Sequence, residues 1–193
     1  IQEIVTKIKE NTIGDIQYIQ ADFGFYAMDK APTSRVLDAS LGGGSLLDIG
    51  IYPIFLAYLM LGMPKKIMAS ATYSEHGTEI QTAMIFEYEL AKAVLYSGFT
   101  SKSSMVAQIS GSDGLITIDS RWHETQGYSL EKEGAIESYL NPTTGRGYAH
   151  EIAAVQQSIE NGALEQPEWT HKNSIDLASL LDQVQRLTKA TLH

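Results

Sequence analysis

The sequence predicts an α+β domain built on a large, mostly antiparallel, open-faced β-sheet with helices on one face. Three observations carry this prediction. Segments of strand-like composition bunch in the middle of the chain, between residues 66 and 140. Amphipathic helical patterns stand at both ends. The strands outnumber the helices that could cover two sheet faces, so the second face is either solvated or buried against another subunit.

The elements follow in order. Ile1, Ile4, Val5 and Ile8 recur at helical spacing and predict a short amphipathic helix, which residues 11–14 stop with turn chemistry. Residues 15–25 alternate as a strand, with Ile19, Ala21 and Phe23 on one face and Tyr18, Gln20 and Asp22 on the other. Residues 29–40 are polar, contain Pro32 and read as a loop. Gly42, Gly43 and Gly44 then precede an apolar helix over 45–61, ended by Gly62 and Pro64. Strands are expected over 66–73, 79–88 and 91–100, joined by short turns as an antiparallel meander. Segments 105–110, 115–118, 128–131 and 136–140 continue it, with a tight turn over 111–114. Tyr148, Ile152, Val155 and Ile159 give a further helix, with Gly162 as its stop. Asn173 and Asp176 read as a capping box before the apolar stripe Leu177, Leu180, Leu181, Val184 and Leu187. In segment 79–88, Ile80, Met84 and Phe86 oppose Ala83 and Ile85. Apolar residues on both faces predict burial of the second face, hence a homo-oligomer through the sheet.

Composition narrows the classes. The 193 residues are 44% hydrophobic and 19% charged, which is the balance of one globular domain and argues against disorder. The net charge of −9, without a Lys/Arg cluster, argues against nucleic-acid or anionic-membrane partners. The longest apolar run, 49–61, is short of the roughly 20 residues of a membrane span and contains Pro53. There is no cysteine, which excludes disulfides, thiolate–zinc sites and a thiol nucleophile and fits a cytoplasmic protein. The five histidines, at 76, 123, 150, 171 and 193, are scattered. No metal site is expected from them, and each reads by default as a surface or hydrogen-bonded histidine. The chain opens at Ile1, which suggests that it starts inside a longer protein or was processed.

Chemistry concentrates in one segment, Gly42-Gly43-Gly44-Ser45-Leu46-Leu47-Asp48-Ile49-Gly50-Ile51-Tyr52-Pro53-Ile54. On a helix, Asp48 and Tyr52 are one turn apart on the same face, and Gly50 removes bulk beside them. A carboxylate and a phenol on an otherwise apolar helix make an acid/base pair. The residues alone favour a plainer reading, with Asp48 as a helix cap and Tyr52 as a core tyrosine with a satisfied hydroxyl, because Asp and Tyr at this spacing are common. The glycines have the wrong spacing for a dinucleotide fingerprint, and no P-loop, G-x-S-x-G or H-E-x-x-H is present.

This segment closely resembles the signature near the start of the C-terminal domain of the Gfo/Idh/MocA oxidoreductases. The opening KIKENTIGDIQYIQADFGF, the turn GSDGLITID and the helix GYAHEIAAVQQSIENG resemble that domain too, so the likeness covers nearly the whole chain. The tyrosine in the signature, where other members carry histidine, leans towards the dihydrodiol dehydrogenase and glucose–fructose oxidoreductase branch. The resemblance implies a C-terminal domain with an open-faced sheet, like those of dihydrodipicolinate reductase and glyceraldehyde-3-phosphate dehydrogenase. It implies a Rossmann domain upstream that binds NAD or NADP. It also implies hydride transfer to or from a sugar, polyol or diol hydroxyl carbon. A Lys of a Glu-Lys-Pro motif, absent from this sequence, would work with Asp48 and Tyr52.

On that reading Tyr52 is the general acid/base and Asp48 orients the substrate hydroxyl and the Lys. An isolated tyrosine, with a pKa of about 10, is a poor base at neutral pH, and a nearby cation favours the phenolate. The chain alone is therefore expected to be inactive. Three further residues are candidates for substrate binding. Tyr26 follows the first strand, and the alternative for it is an exposed loop tyrosine. Arg35 precedes the signature, and the alternative is a solvated or interface arginine. Tyr148 opens a helix where the family has an aromatic near the substrate, and the alternative is a hydrophobic staple. Loops 26–41 and 120–148 are expected to shape specificity. Two rivals share the fold: a non-catalytic dimerisation module and a small-molecule binding protein without redox chemistry.

Overall fold

In the computed structural model, which describes residues 1–142, 145 and 147–190, β1 (Ile16–Gly24) runs through the middle of an eight-stranded sheet. It follows α1 (Gln2–Lys9), whose Ile4 is fully buried. A helical segment, ending in α2 (Ile51–Leu61), then carries the chain to the sheet edge. There β2 (Lys66–Tyr73), β3 (Glu79–Glu87) and β4 (Lys92–Gly98) return as antiparallel neighbours. β5 (Ala107–Gly111), β6 (Gly114–Ile118), β7 (Gly127–Lys132) and β8 (Ala135–Leu140) build out the other side. The spatial order is β2-β3-β4-β1-β5-β6-β7-β8. α3 (Tyr148–Glu160) and α4 (His171–Ala190) close the chain.

The α+β sheet with its helices matches the prediction; the single meander does not. β1 wedges between β4 and β5 and pairs with β4 in parallel, placing Ile19 beside Ala93 on one side and Ile109 on the other. Parallel neighbours need a long crossover, and α2 with the β2–β3 hairpin provides it. The two antiparallel sets are thereby joined at their most apolar row. Ile19, Ala21, Ala93, Leu95, Ile109 and Ile116 are buried in one core with Ile54 and Leu56 of α2 and Leu180 and Val184 of α4. The opposite face stays open. Register places Met68, Ile85 and Val94 side by side there, all partly exposed.

Two local readings are corrected. The capping box of α4 lies three residues earlier than expected. Thr170 is the cap residue, its N–H and hydroxyl both donate to Asn173 Oδ1 (2.8 and 2.6 Å), and Asn173 N donates back to Thr170 Oγ1. The stretch 45–61 is not one uniform α-helix. A π-helical turn, Leu46–Gly50, precedes α2. Residues 39–61 reach the length and mean hydropathy (1.6) of a membrane span, but α2 is apolar because it is a core helix, with Ile54, Leu56 and Ala57 fully buried.

Candidate active site

The site forms where the parallel strands β1 and β4 end. There the chain after β1 crosses back over the sheet, and the three glycines shape the crossing. Gly42 and Gly44 take φ values of +75° and +125°. At Gly43 a Cβ would lie 2.6 Å from the Asp38 carbonyl oxygen and 2.7 Å from that of Arg35. The close approach that the glycines allow is backbone against backbone. Their N–H groups are spent on Ala39, Asp38 and Val36 carbonyls.

The start of the π turn is capped from another strand. Glu79 of β3 accepts from Leu46 N (2.7 Å) and from the Ser45 hydroxyl (2.7 Å), and Ser45 also meets Ser97 of β4. A carboxylate at a helix start satisfies free N–H groups and suits the dipole. Asp48 is therefore not the cap. It lies inside the π turn, a geometry frequent at functional sites, with its side chain 15% exposed. Gly50 faces Ser97, where a Cβ would come 2.9 Å from Oγ, so the turn sits directly on β4.

Arg35 donates to Asp48, with Nη1 2.7 Å from Oδ1, while its guanidinium stays largely in solvent. Tyr52 is 41% exposed and stands in an aromatic group. Its ring meets Phe23 edge-on at 5.3 Å and His123 at 5.4 Å, and His123 stacks on Phe23 at 4.2 Å and 21°. Phe23 leans on Phe25, which packs against buried Phe99 in a small second core with Leu37, Ile49 and Ile80. Tyr52 is thus no core tyrosine. It stands at the rim of a rigid aromatic floor.

The sequence offers His123 as an ordinary surface or hydrogen-bonded histidine; in the structure it is half-buried and faces a cleft. It sits in the Trp122–Glu124 turn, which buried Trp122 fixes through Nε1 to the Asp22 carbonyl (2.9 Å) and N to the Met105 carbonyl (3.1 Å). Its Nδ1 is buried without a hydrogen-bond partner. Burial holds the imidazole below its ordinary value of 6.5, against the opposing pull of Glu124. Phe23 and His123 are a hundred positions apart, so no local pattern could have paired them.

From His123 a cleft of about 740 Å³ opens between α1, β7 and the start of α3, within the range of small-ligand sites. Tyr128, Asn141, Glu3, Tyr148 and Glu151 line it. Tyr128 donates to Glu3 at 2.7 Å, and burial and then Glu3 push its phenol upward, so it stays protonated. Tyr148, 64% exposed, stands on this cleft and is not buried as a staple. Tyr26 is 59% exposed on the loop after β1, which Phe25 N and Ala27 N tie to the Gly98 and Phe99 carbonyls. Of the expected site residues, the fold brings Arg35 to Asp48 and leads from Tyr52 through His123 to Tyr148. Residues 143, 144 and 146 of the 120–148 loop, and His193, lie outside the described residues. No group of three or more potential metal ligands occurs among the described residues.

Residues 1–117 match the model of the GFO/IDH/MocA C-terminal domain. The chain belongs to this family. It is 30% identical over 191 residues to trans-1,2-dihydrobenzene-1,2-diol dehydrogenase of Xenopus tropicalis, covering 94% of this chain and 57% of that protein. It is 27% identical over 179 residues to scyllo-inositol 2-dehydrogenase (NADP(+)) IolU of Bacillus subtilis, covering 90% and 55%. The aldose-aldose oxidoreductase of Caulobacter crescentus, solved with glycerol, has the same fold at a TM-score of 0.85 and 19% identity, covering 98% of this chain and 58% of that one. The chain thus spans a little over half the length of these proteins.

A nicotinamide dinucleotide needs a cradle for its pyrophosphate, usually free N–H groups at a helix start. The glycine-flanked helix start here does not fit one. Its glycine N–H groups are spent, and the Glu79 carboxylate already holds Leu46 N–H and would repel a phosphate. What the residues present can do is bind, orient and exchange a proton with a hydroxylated substrate.

Proposed function

We propose that this chain is the substrate-binding and oligomerisation domain of an NAD(P)-dependent oxidoreductase that interconverts a CH–OH group of a sugar, polyol or diol with a carbonyl. One observation supports it most directly. Asp48 is held by Arg35, Tyr52 four positions on is seated on the Phe23–His123 floor, and His123 leads from that floor to an open cleft. The cofactor, bound by the part of the protein that this chain does not span, supplies the hydride chemistry.

Tyr52 takes the hydroxyl proton as the alcohol is oxidised and returns it to the carbonyl oxygen in the reverse direction. The Lys that the family likeness implies assists it. Asp48 accepts a hydrogen bond from the substrate hydroxyl, its carboxylate aimed by Arg35. Tyr26 and Tyr148 flank the substrate. The exposed apolar stripe of α3, Ile152, Val155 and Ile159, is a surface for the protein's own nucleotide-binding domain.

Full-length protein is assayed with NAD+ and NADP+ against scyllo-inositol, trans-1,2-dihydrobenzene-1,2-diol and D-glucose. Turnover is expected with at least one. Tyr52→Phe and Asp48→Asn each lower kcat by about 10²–10⁴-fold, the usual contribution of a positioned acid/base, with thermal unfolding close to wild type. The 193-residue chain alone is inert. Wild-type kcat in both variants, or turnover by the isolated chain, refutes the reading.

A further inference from the structure

We infer that His123 is a substrate-binding residue: the neutral Nε2–H imidazole, fixed against Tyr52, donates a hydrogen bond to a second oxygen of the substrate in the cleft beside it. This rests on the oxidoreductase reading above and adds a specificity residue to it.

Four observations lead here. His123 touches the ring of a catalytic candidate and also lines the cleft, so it joins the two. It is immobilised from both sides, stacked on Phe23 and carried by a turn that buried Trp122 anchors. A site residue on a rigid support orients its ligand at little entropic cost. Third, Nδ1 is buried with no protein partner. A bare lone pair there is less costly than an orphaned N–H. The proton therefore sits on Nε2, and a neutral imidazole carries only one. Fourth, burial favours that neutral form. The ring is a hydrogen-bond donor with a defined direction and no charge.

Phenylalanine at this position keeps the ring stack and removes the donor. In full-length protein, His123→Phe is expected to raise KM for scyllo-inositol, trans-1,2-dihydrobenzene-1,2-diol or D-glucose, whichever wild type turns over, by about 10-fold. That is the loss of one neutral hydrogen bond. The rise in KM exceeds any fall in kcat, and His123→Gln, which restores an N–H, recovers part of it. Imidazole ¹⁵N spectra of the wild-type protein give an independent readout. They show an Nε2–H tautomer whose signal shifts on saturation with the same compound. A wild-type KM in His123→Phe, an Nδ1–H tautomer, or a signal unmoved at saturation overturns the inference. If Tyr52→Phe abolishes turnover while His123→Phe leaves KM alone, only this inference fails. If wild type turns over none of the three compounds, the oxidoreductase reading fails and takes the inference with it.

Discussion

Gly43 shows how tightly the site depends on single atoms. A methyl group there would press on the carbonyl oxygens of Asp38 and Arg35, both of them backbone and unable to rotate away. Arg35 is the partner of Asp48, so the loop that yields carries the ion pair with it. Gly43→Ala is expected to cost about 1–3 kcal/mol, the usual range when overpacking forces backbone shifts. Urea unfolding of the purified protein measures it, and an unchanged midpoint would show that the loop absorbs the group freely. Asp48 and Tyr52 were legible as candidates through the family-like segment that carries them. Their partners were not. Arg35 lies in a loop with no period, and His123 reaches Tyr52 only through the sheet.

Among the elements, the contact between α2 and α4 is held by a polar knot. Tyr58 Oη donates to Asp176 Oδ2 at 2.8 Å and accepts from Asn173 Nδ2 at 3.0 Å, while Lys172 Nζ lies 2.7 Å from the same carboxylate oxygen. The Lys172 ammonium and the Tyr58 hydroxyl hold the Asp176 carboxyl below its ordinary value of 3.8. A carboxyl lowered by folding contributes stability that is fully present above its unfolded value. That stability is lost as pH falls through the lower folded value. Urea midpoints are therefore expected to drop between about pH 5 and pH 2, and to drop less steeply in Asp176→Asn. Parallel slopes in the two proteins would remove the knot from the account. The sequence marked a cap near Asn173 correctly in kind. It placed the cap three residues late, because Asn173 serves as the third residue of α4 and not as its cap.

For the whole molecule, the open face of the sheet carries an exposed apolar row. The row Met68, Ile85 and Val94 crosses three strands, flanked along the strands by Lys66, Glu87 and Lys92. An apolar row with a charged rim is the pattern of a surface that pairs with a copy of itself. Ile85→Lys in full-length protein is expected to lower the oligomeric state measured by light scattering, with the fold preserved. A wild-type species at the same concentration would show that this face does not join copies of the chain.

By itself the sequence determined the element types, most boundaries to within two residues and, through alternation, the buried face of β1. All of these depend on side chains within a few positions of one another, where periods of 2 and 3.6 govern. The tertiary structure decided the rest. It set β1 between β4 and β5, because burying Ile19 and Ala21 on both sides outweighs keeping sequential strands adjacent. It brought Glu79 to cap the site helix from 33 positions away. It joined Phe23, Tyr52 and His123 into one floor. Contacts between distant segments follow from how the core packs, and no local pattern encodes them.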